Sequence, residues 1–398
     1  MPYLTEDQLA RALTLADLTD PAYGPHCMQQ LVAGATGALR ERWGCPVLVH
    51  RAHRVVPVAD NYDALGYPPD GPARDSRYTR YVDAGRLLRS QTSAIVPTAL
   101  RALAPTAPGD VLVCAPGLVY RRDAIDRLHV GEPHQLDLWR VTERTMAPLD
   151  LEAMIAAVVE ALLPGARWRA LPASHPYTKD GREVEVLAGG EWVELLECGL
   201  AHPHVLAAGG LGGHSGLAMG IGLDRAVMLR KQVPDIRLLR AADPRIAGQM
   251  LDLERWRPVS AQPPVRRDLS LVVDLPIDDE LLGDRARSGL GPDADLLESL
   301  TLRAVTPYAD LPPVARDRLG LRPEQANALI RIVLRPLDRT LTDAEANELR
   351  DRIYARLHEG LHVEWAYAAG RPPARHGPQH RPPPVNEQRD GDRNALYG

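Results

Sequence analysis

Two arginines carry the chemical interest of this chain. Arg121 stands in Tyr120-Arg-Arg-Asp123, just past a strand-like run, and Arg225 closes the run Gly216-Leu-Ala-Met-Gly-Ile-Gly-Leu-Asp-Arg225. A guanidinium is a planar fork that meets two phosphate oxygens at once and keeps its charge throughout the physiological range. Two of them in one cleft would hold a polyphosphate. The glycines between 209 and 222 suggest a phosphate-binding loop, yet no G-K-[ST] ending follows them. From its residues alone the segment is either a phosphate-contacting turn or a ligand-free turn from strand to helix. A third polar cluster, Arg89-Ser-Gln-Thr-Ser-Ala94, precedes these two, and His129, His134, Gln135, Glu194 and Glu197 fall in stretches expected to be ordered. One arginine at a strand end reads as a solvated charge; three such clusters together weaken that reading.

The elements that must position these groups are partly visible. Thr5-Glu-Asp-Gln8 and Thr342-Asp-Ala-Glu345 are capping boxes, the second opening a helix expected to reach about Gly360. Asp150 to Leu163 reads as a helix closed by Pro164-Gly165. Strand-like runs cover Asp110 to Ala115, Arg182 to Leu187, Trp192 to Cys198, Leu269 to Val273 and Leu329 to Leu334. Strands and helices do not alternate regularly, which predicts an α+β class and not a doubly wound sheet. Prolines between Asp243 and Pro264 mark a boundary. Beyond it, strand, helix, strand, strand, helix, strand can be traced from Leu269 to Trp365, the split β-α-β order of a ferredoxin-like domain. From Gly370 the chain turns rich in Pro, Arg, His and Gln, a composition expected to be disordered.

Composition bounds the partners. A length of 398 residues favours two domains, and a net charge of -5 argues against a general nucleic-acid coat protein while leaving a specific RNA contact open. The segment 258–370 is itself acidic, with 14 arginines and no lysine against 19 acidic residues, so Arg266, Arg267, Arg335 and Arg339 would have to cluster to grip a polyanion. Cys27, Cys45, Cys114 and Cys198 are far apart with no C-x-x-C pair, which points to reduced packing residues. The acidic N-terminus and the lack of an 18-residue apolar run predict a cytoplasmic protein with no membrane partner. Phenylalanine is missing altogether. Either its codons were purged so that the protein is made when charged phenylalanine tRNA is scarce, or pocket residues changed for another substrate and the rest drifted.

Taken together, these motifs resemble the class II aminoacyl-tRNA synthetases, specifically the single-chain phenylalanyl-tRNA synthetase type. The markers run in order from about Asp60 to Gly360: Asn61-Tyr-Asp63 with Arg74, Leu88-Arg-Ser-Gln-Thr-Ser-Ala94, Val119-Tyr-Arg-Arg-Asp123 with Asp126 and His129, and Pro133-His-Gln-Leu-Asp137. His175-Pro-Tyr-Thr178, Trp192-Val-Glu194, Cys198-Gly199, His202-Pro203 and Ser215 to Arg225 follow, with Arg267-Asp-Leu-Ser270 and Arg339-Thr-Leu-Thr-Asp343 in the C-terminal part. The resemblance implies an antiparallel-sheet catalytic domain over 1–245, a linker over 246–263, a ferredoxin-fold anticodon-binding-like domain over 264–366 and a tail over 370–398. It implies ATP and Mg²⁺ as cofactors, an aromatic amino acid and its tRNA, phenylalanine tRNA first, as partners, and a monomer or homodimer.

By the same resemblance Arg121 grips the α-phosphate of ATP, Arg225 holds the γ-phosphate, and Asp123 occupies the acidic position beside Arg121. His129 lies beside the nucleotide, and Glu194 helps hold nucleotide and Mg²⁺. Ser93, Gln135 and Asp137 match positions that hold the amino and carboxyl groups of the amino acid, and Ala218 the small residue at the end of the ring pocket. Here the chain departs from the family. His175 and Tyr177 stand where two phenylalanines flank the ring, Gln91 replaces a histidine near the amine, Asp137 a longer glutamate, and Glu197 a glycine. The expectation is an ATP-dependent ligase that makes an aromatic aminoacyl-adenylate and charges tRNA. Two alternatives stand beside it: an adenylating relative that uses a tyrosine-like or modified amino acid or a non-tRNA acceptor, and a non-catalytic sensor.

Overall fold

The computed structural model describes residues 3–122, 124–259, 263–337 and 339–362. Its largest sheet has seven strands: β1 (Val47–Val49), β4 (Asp110–Leu118), β5 (His134–Thr142), β6 (Trp168–Pro172), β7 (Thr178–Ala188), β8 (Glu191–Ala201) and β9 (Ser215–Gly222). A short ribbon pairs β2 (Val55–Pro57) with β3 (Arg86–Leu88). The large sheet runs β1-β4-β5-β9-β8-β7-β6 and is antiparallel throughout except for the parallel pair of β1 and β4. The mixed α+β class expected from the irregular element order is what the chain forms.

Alternation along the central strands decides what each face carries. Leu136, Ile221 and Leu196 lie in register across β5, β9 and β8 and belong to the core beneath helices Cys27–Trp43 and Pro148–Leu162. Those helices bury Met28, Leu31, Ala35 and Leu39 on one and Leu151, Ile155, Val158 and Leu162 on the other, the three- and four-residue spacing of a stripe facing a partner. The opposite set, Gln135, Asp137 and Trp139, faces away from these helices. Gly222 and Gly220 are their cross-strand neighbours at the first two positions. Without Cβ atoms these glycines leave space in front of the polar residues, and that space is where the site forms.

Three sequence expectations need correction. The glycine-rich run is a turn only over its first four glycines, 209, 210, 212 and 213; from Ser215 it is strand β9, leading directly into helix Leu223–Lys231. Glycine weakens the period-2 signal, so the strand is invisible to pattern reading. Second, residues 246–256, read as the start of a linker, pack on the core beneath the large sheet. Ile246, Met250 and Trp256 are buried in it, and the buried Lys231 donates to the backbone carbonyls of Asp252 and Glu254. Third, the helix opened by Thr342 ends at Leu357, three residues short of Gly360.

In the C-terminal part β10 (Val265–Asp274), β11 (Leu297–Pro307) and β12 (Gln325–Leu334) form an antiparallel sheet in the order β10-β12-β11. Helices Asp279–Leu290 and Asp343–Leu357 are the main helices of this unit and bury Leu282, Ala286, Leu290, Ile353 and Leu357 in its core. Five of the six elements of the expected split β-α-β order are thus present. The sixth, expected near Trp365, lies outside the described residues, as do the tail from Gly370 and Asp123.

Arginines stitch this unit to the large sheet. Arg80 pairs with Glu132 at 2.5 Å and with Asp284 at 3.2 Å, and Arg122 approaches the same Asp284 at 3.4 Å. From the other side Arg237 donates to the carbonyls of Asp295 and Arg335 at 2.7 and 2.9 Å. The apolar Ile125 completes the seam by packing into the C-terminal core, while its carbonyl accepts from Leu300 at 2.8 Å. Charges held at low exposure on both sides make this a fixed junction.

Candidate active site

A cavity of about 360 Å³ opens over β5, β9 and β8. Its walls include nine of the twelve residues expected to form the site, Gln91, Ser93, Arg121, His129, Gln135, Asp137, Tyr177, Glu194 and Arg225, together with His134 and Glu197. Of the other three, Asp123 lies outside the described residues. His175 stands one layer behind, its ring stacked on Tyr177 with centroids 5.6 Å apart. Ala218 does not reach the cavity: it is fully buried between Trp139 and Gly199 in the strand register, within the same apolar cluster as Tyr177.

The arginines are held differently. Arg121 follows β4, where its backbone N–H bonds to Gly131 and its Nε donates to the Ser90 carbonyl at 2.9 Å. Among the described residues no carboxylate pairs with it, so the rest of its fork faces the cavity uncommitted. Arg225 sits in the first turn of helix Leu223–Lys231 and donates to the carbonyl of Glu194 at 3.1 Å and its carboxylate at 3.2 Å. A helix start with its unsatisfied N–H groups also favours anions.

Behind Arg225 stands a network that sequence reading missed. Asp224 accepts from the backbone N–H of His134 at 2.5 Å and from Arg240 at 2.9 Å, while His134 Nε2 accepts from the N–H of Leu18 at 3.1 Å. The other ring nitrogen, Nδ1, lies 3.4 Å from Asp224 and 3.3 Å from Arg240. Burial would raise the Asp224 carboxyl, but His134 and Arg240 outweigh it and hold the group below its ordinary range. The first turn carrying Arg225 is thereby pinned to β5. His129 is fixed in a similar way: Asp126 accepts from its backbone N–H at 2.8 Å and contacts its Nδ1 at 2.8 Å. The signal for Asp224 was its place directly before Arg225; Arg240 carried none.

The polar floor is more crowded than the sequence suggests. Asp137 is 2% exposed and accepts from Thr92 at 2.7 Å, Ser93 at 3.0 Å and the indole of Trp139 at 3.0 Å. Burial pushes its carboxyl up to about 6, against the pull of those three donors. Gln91 is engaged on both ends, accepting from Tyr67 Oη at 3.1 Å and donating to the Asn61 carbonyl at 3.1 Å. Gln135 accepts from the Thr92 N–H at 3.2 Å. Tyr67, Trp139, Tyr177 and His175 form a continuous ring cluster, with Tyr177 centroids 6.3, 6.1 and 5.6 Å from the other three respectively. Trp139 was detectable as the same-face neighbour of Asp137 two residues on.

An antiparallel sheet of this order, with one arginine after its second strand and another at the start of the helix after β9, defines the catalytic core of a class II synthetase. Residues 48–250 match the family model described as tRNA synthetases class II core domain (F), about half of the chain. The chain belongs to this family. It is 28% identical over 324 residues to the phenylalanine--tRNA ligase, chloroplastic/mitochondrial, of Arabidopsis thaliana, covering 78% of this chain and 71% of that protein. It is also 36% identical over 191 residues to the phenylalanine--tRNA ligase alpha subunit of Nostoc punctiforme, and 36% over 193 to that of Haemophilus ducreyi. Each of these two covers 48% of this chain, which spans about half of their length, 56% and 57%.

Three of the four C-terminal arginines singled out in the sequence are paired with acids. Arg267 pairs with Asp343 at 3.1 Å, Arg335 with Glu298 at 2.7 Å and Arg339 with Glu345 at 2.8 Å. The four cysteines are buried and free, in keeping with packing roles. Among the described residues no helix is long and apolar enough to cross a membrane.

Proposed function

We propose that the protein activates an aromatic amino acid with ATP and transfers it to tRNA, the reaction of the phenylalanine--tRNA ligases it resembles. The observation that carries this reading is Arg121 lining, with no carboxylate partner among the described residues, the same cavity as Arg225, Gln135 and Asp137. The amino-acid carboxylate attacks the α-phosphorus of ATP; a P–O bond forms, the bond to the bridging oxygen breaks, and pyrophosphate leaves with the electron pair. Such a displacement needs alignment and charge stabilisation more than covalent participation by the protein. Arg121 stabilises charge on the α-phosphate, and Arg225, freed from Glu194, takes the distal phosphates. His129, held by Asp126, borders the nucleotide. Asp137 and Ser93 receive the amine side of the substrate, with Gln135 toward its carboxylate.

Among the described residues no three acidic, histidine or cysteine side chains gather as a metal cage. Mg²⁺ fits the site as the counter-ion of ATP, since it keeps most of its waters and takes one or two carboxylates beside the phosphates. Glu194, whose carboxylate is 46% exposed at the cavity, would be its protein ligand. When bound, the ion neutralises phosphate charge. The second half-reaction transfers the acyl group from the adenylate to a terminal tRNA hydroxyl, with AMP leaving. The C-terminal unit, read as a ferredoxin-fold anticodon-binding-like domain, belongs to this proposal, as does work in the cytoplasm. Pyrophosphate exchange tests the first step: exchange dependent on an aromatic amino acid, lost in Arg121→Ala, is expected, and no exchange with any amino acid would refute it.

The paired C-terminal arginines favour a second reading, in which the same adenylate goes to an acceptor other than tRNA. Efficient charging of bulk tRNA would remove it.

A further inference from the structure

One row of the sheet crosses the floor of the cavity: Asp137 on β5, Gly220 on β9 and Glu197 on β8 are direct cross-strand partners. Directly opposed residues point to the same face, so the two carboxyl side chains flank a position that carries no side chain. A Cβ at Gly220 would come within 3.8 Å of Asp137 Oδ2, and nothing else crowds it. The two acids differ in commitment. Asp137 is enclosed and already accepts three hydrogen bonds from Thr92, Ser93 and Trp139. Glu197 has its side chain 43% exposed at the cavity, and its one polar neighbour is His175, whose Nε2 lies 3.3 Å from Oε1. No other side chain or backbone donor among the described residues meets that carboxylate.

We propose that Glu197 is a specificity-determining residue that accepts a hydrogen bond from the tip of the substrate side chain, so that the site favours an aromatic amino acid bearing an O–H or N–H donor over phenylalanine. This deepens the adenylation reading above and rests on it. Three observations converge. His175 backs Glu197 and stacks on Tyr177, which places the carboxylate beside the ring-lined wall. Ala218 and Trp139, buried in one apolar cluster with Tyr177, line no part of the cavity, so Tyr177 is the ring of that cluster that faces it. The contact with His175 and the field of Arg121 outweigh burial and hold Glu197 ionised. A bare phenyl ring brought against that carboxylate would strip its water and return nothing, whereas a phenol or aniline replaces the lost bond.

The test measures pyrophosphate exchange, as kcat/KM, for L-tyrosine, L-4-aminophenylalanine and L-phenylalanine with the full chain, its Glu197→Gln and its Glu197→Ala variants. Calorimetric titration of the same amino acids without ATP runs alongside. Wild type is expected to favour the donor-bearing substrates by about 10-fold or more, a lower bound for a site that hydrogen-bonds its substrate. In Glu197→Ala that ratio should fall at least tenfold, with Glu197→Gln between the two. A wild-type preference for phenylalanine, or the same ratio in all three proteins, overturns the proposal. Absence of exchange with every amino acid refutes adenylation instead; the titrations then still decide Glu197, by whether tyrosine binds over phenylalanine in wild type and loses that advantage in Glu197→Ala.

Discussion

Arg225 reaches from the first turn of its helix to Glu194 on β8 and donates to both the carbonyl and the carboxylate of that residue, at 3.1 and 3.2 Å. The guanidinium that would take the distal phosphates is therefore parked on an acid at the mouth of the cavity. Both partners are about a third or more exposed, and an exposed ion pair contributes at most a few tenths of a kcal/mol to folding.

Function and stability should separate at this pair. Arg225→Ala is expected to lower pyrophosphate exchange by at least about 100-fold, the scale of losing a preorganised charge contact in the transition state, while the thermal midpoint stays within about 1 °C. Arg225→Lys should recover only part of the rate, because a point charge does not bridge two phosphate oxygens.

Asp224 should behave in the opposite manner. It is 3% exposed, and its removal leaves Arg240 without its carboxylate and His134 without the acceptor of its backbone N–H. Asp224→Ala is expected to cost about 3–5 kcal/mol in chemical denaturation. Its folded carboxyl lies below the ordinary 3.8, so its contribution is in place above that value and is lost as pH falls through the depressed one. Asp224→Asn should show a shallower loss of stability below about pH 4.

At Asp137 the sign reverses. Its carboxyl is raised from 3.8 to about 6, so the folded state binds a proton more readily than the unfolded chain. Stability from this group is full below about pH 4 and declines as pH rises through about 6. Thermal melts from pH 4 to 7 should therefore show a decline in wild type that is reduced in Asp137→Asn. The same variant is expected to raise the KM for the amino acid more than that for ATP.

The seam between the two units offers a further check. Asp284 faces both Arg80 and Arg122 from helix Asp279–Leu290, and the side chains of all three are at most about a fifth exposed. Asp284→Ala strands Arg122 and leaves Arg80 with Glu132 alone, and should destabilise by about 2–4 kcal/mol, visible as a splitting or early onset of the denaturation curve.

How much of this was legible in the sequence depended on the range of the interaction. The capping boxes at Thr5 and Thr342 are local and formed as expected. Arg121, Arg225 and Glu194 were legible because their motifs are contiguous, and the fold brings them to one cavity. Strand β9 was hidden, since its glycines at 216, 220 and 222 erase alternation although they make room for the site. The engagement of Asp137 was hidden for a different reason. It depends on Thr92 and Ser93, more than 40 residues earlier, converging with the neighbouring Trp139 on the two oxygens of one carboxylate. Likewise the burial of Ala218 in one cluster with Trp139 and Tyr177 depends on residues brought together from separate strands and a loop.

The most direct measurement of the central claim is formation of the adenylate itself. The full chain is incubated with ATP labelled at the α-phosphate and an aromatic amino acid, with the products separated by chromatography. Labelled aminoacyl-AMP should accumulate on the wild-type protein and fall by at least about 100-fold in Arg121→Ala. ATP recovered unchanged with phenylalanine, tyrosine and 4-aminophenylalanine alike, or an Arg121→Ala variant as active as wild type, would contradict the account.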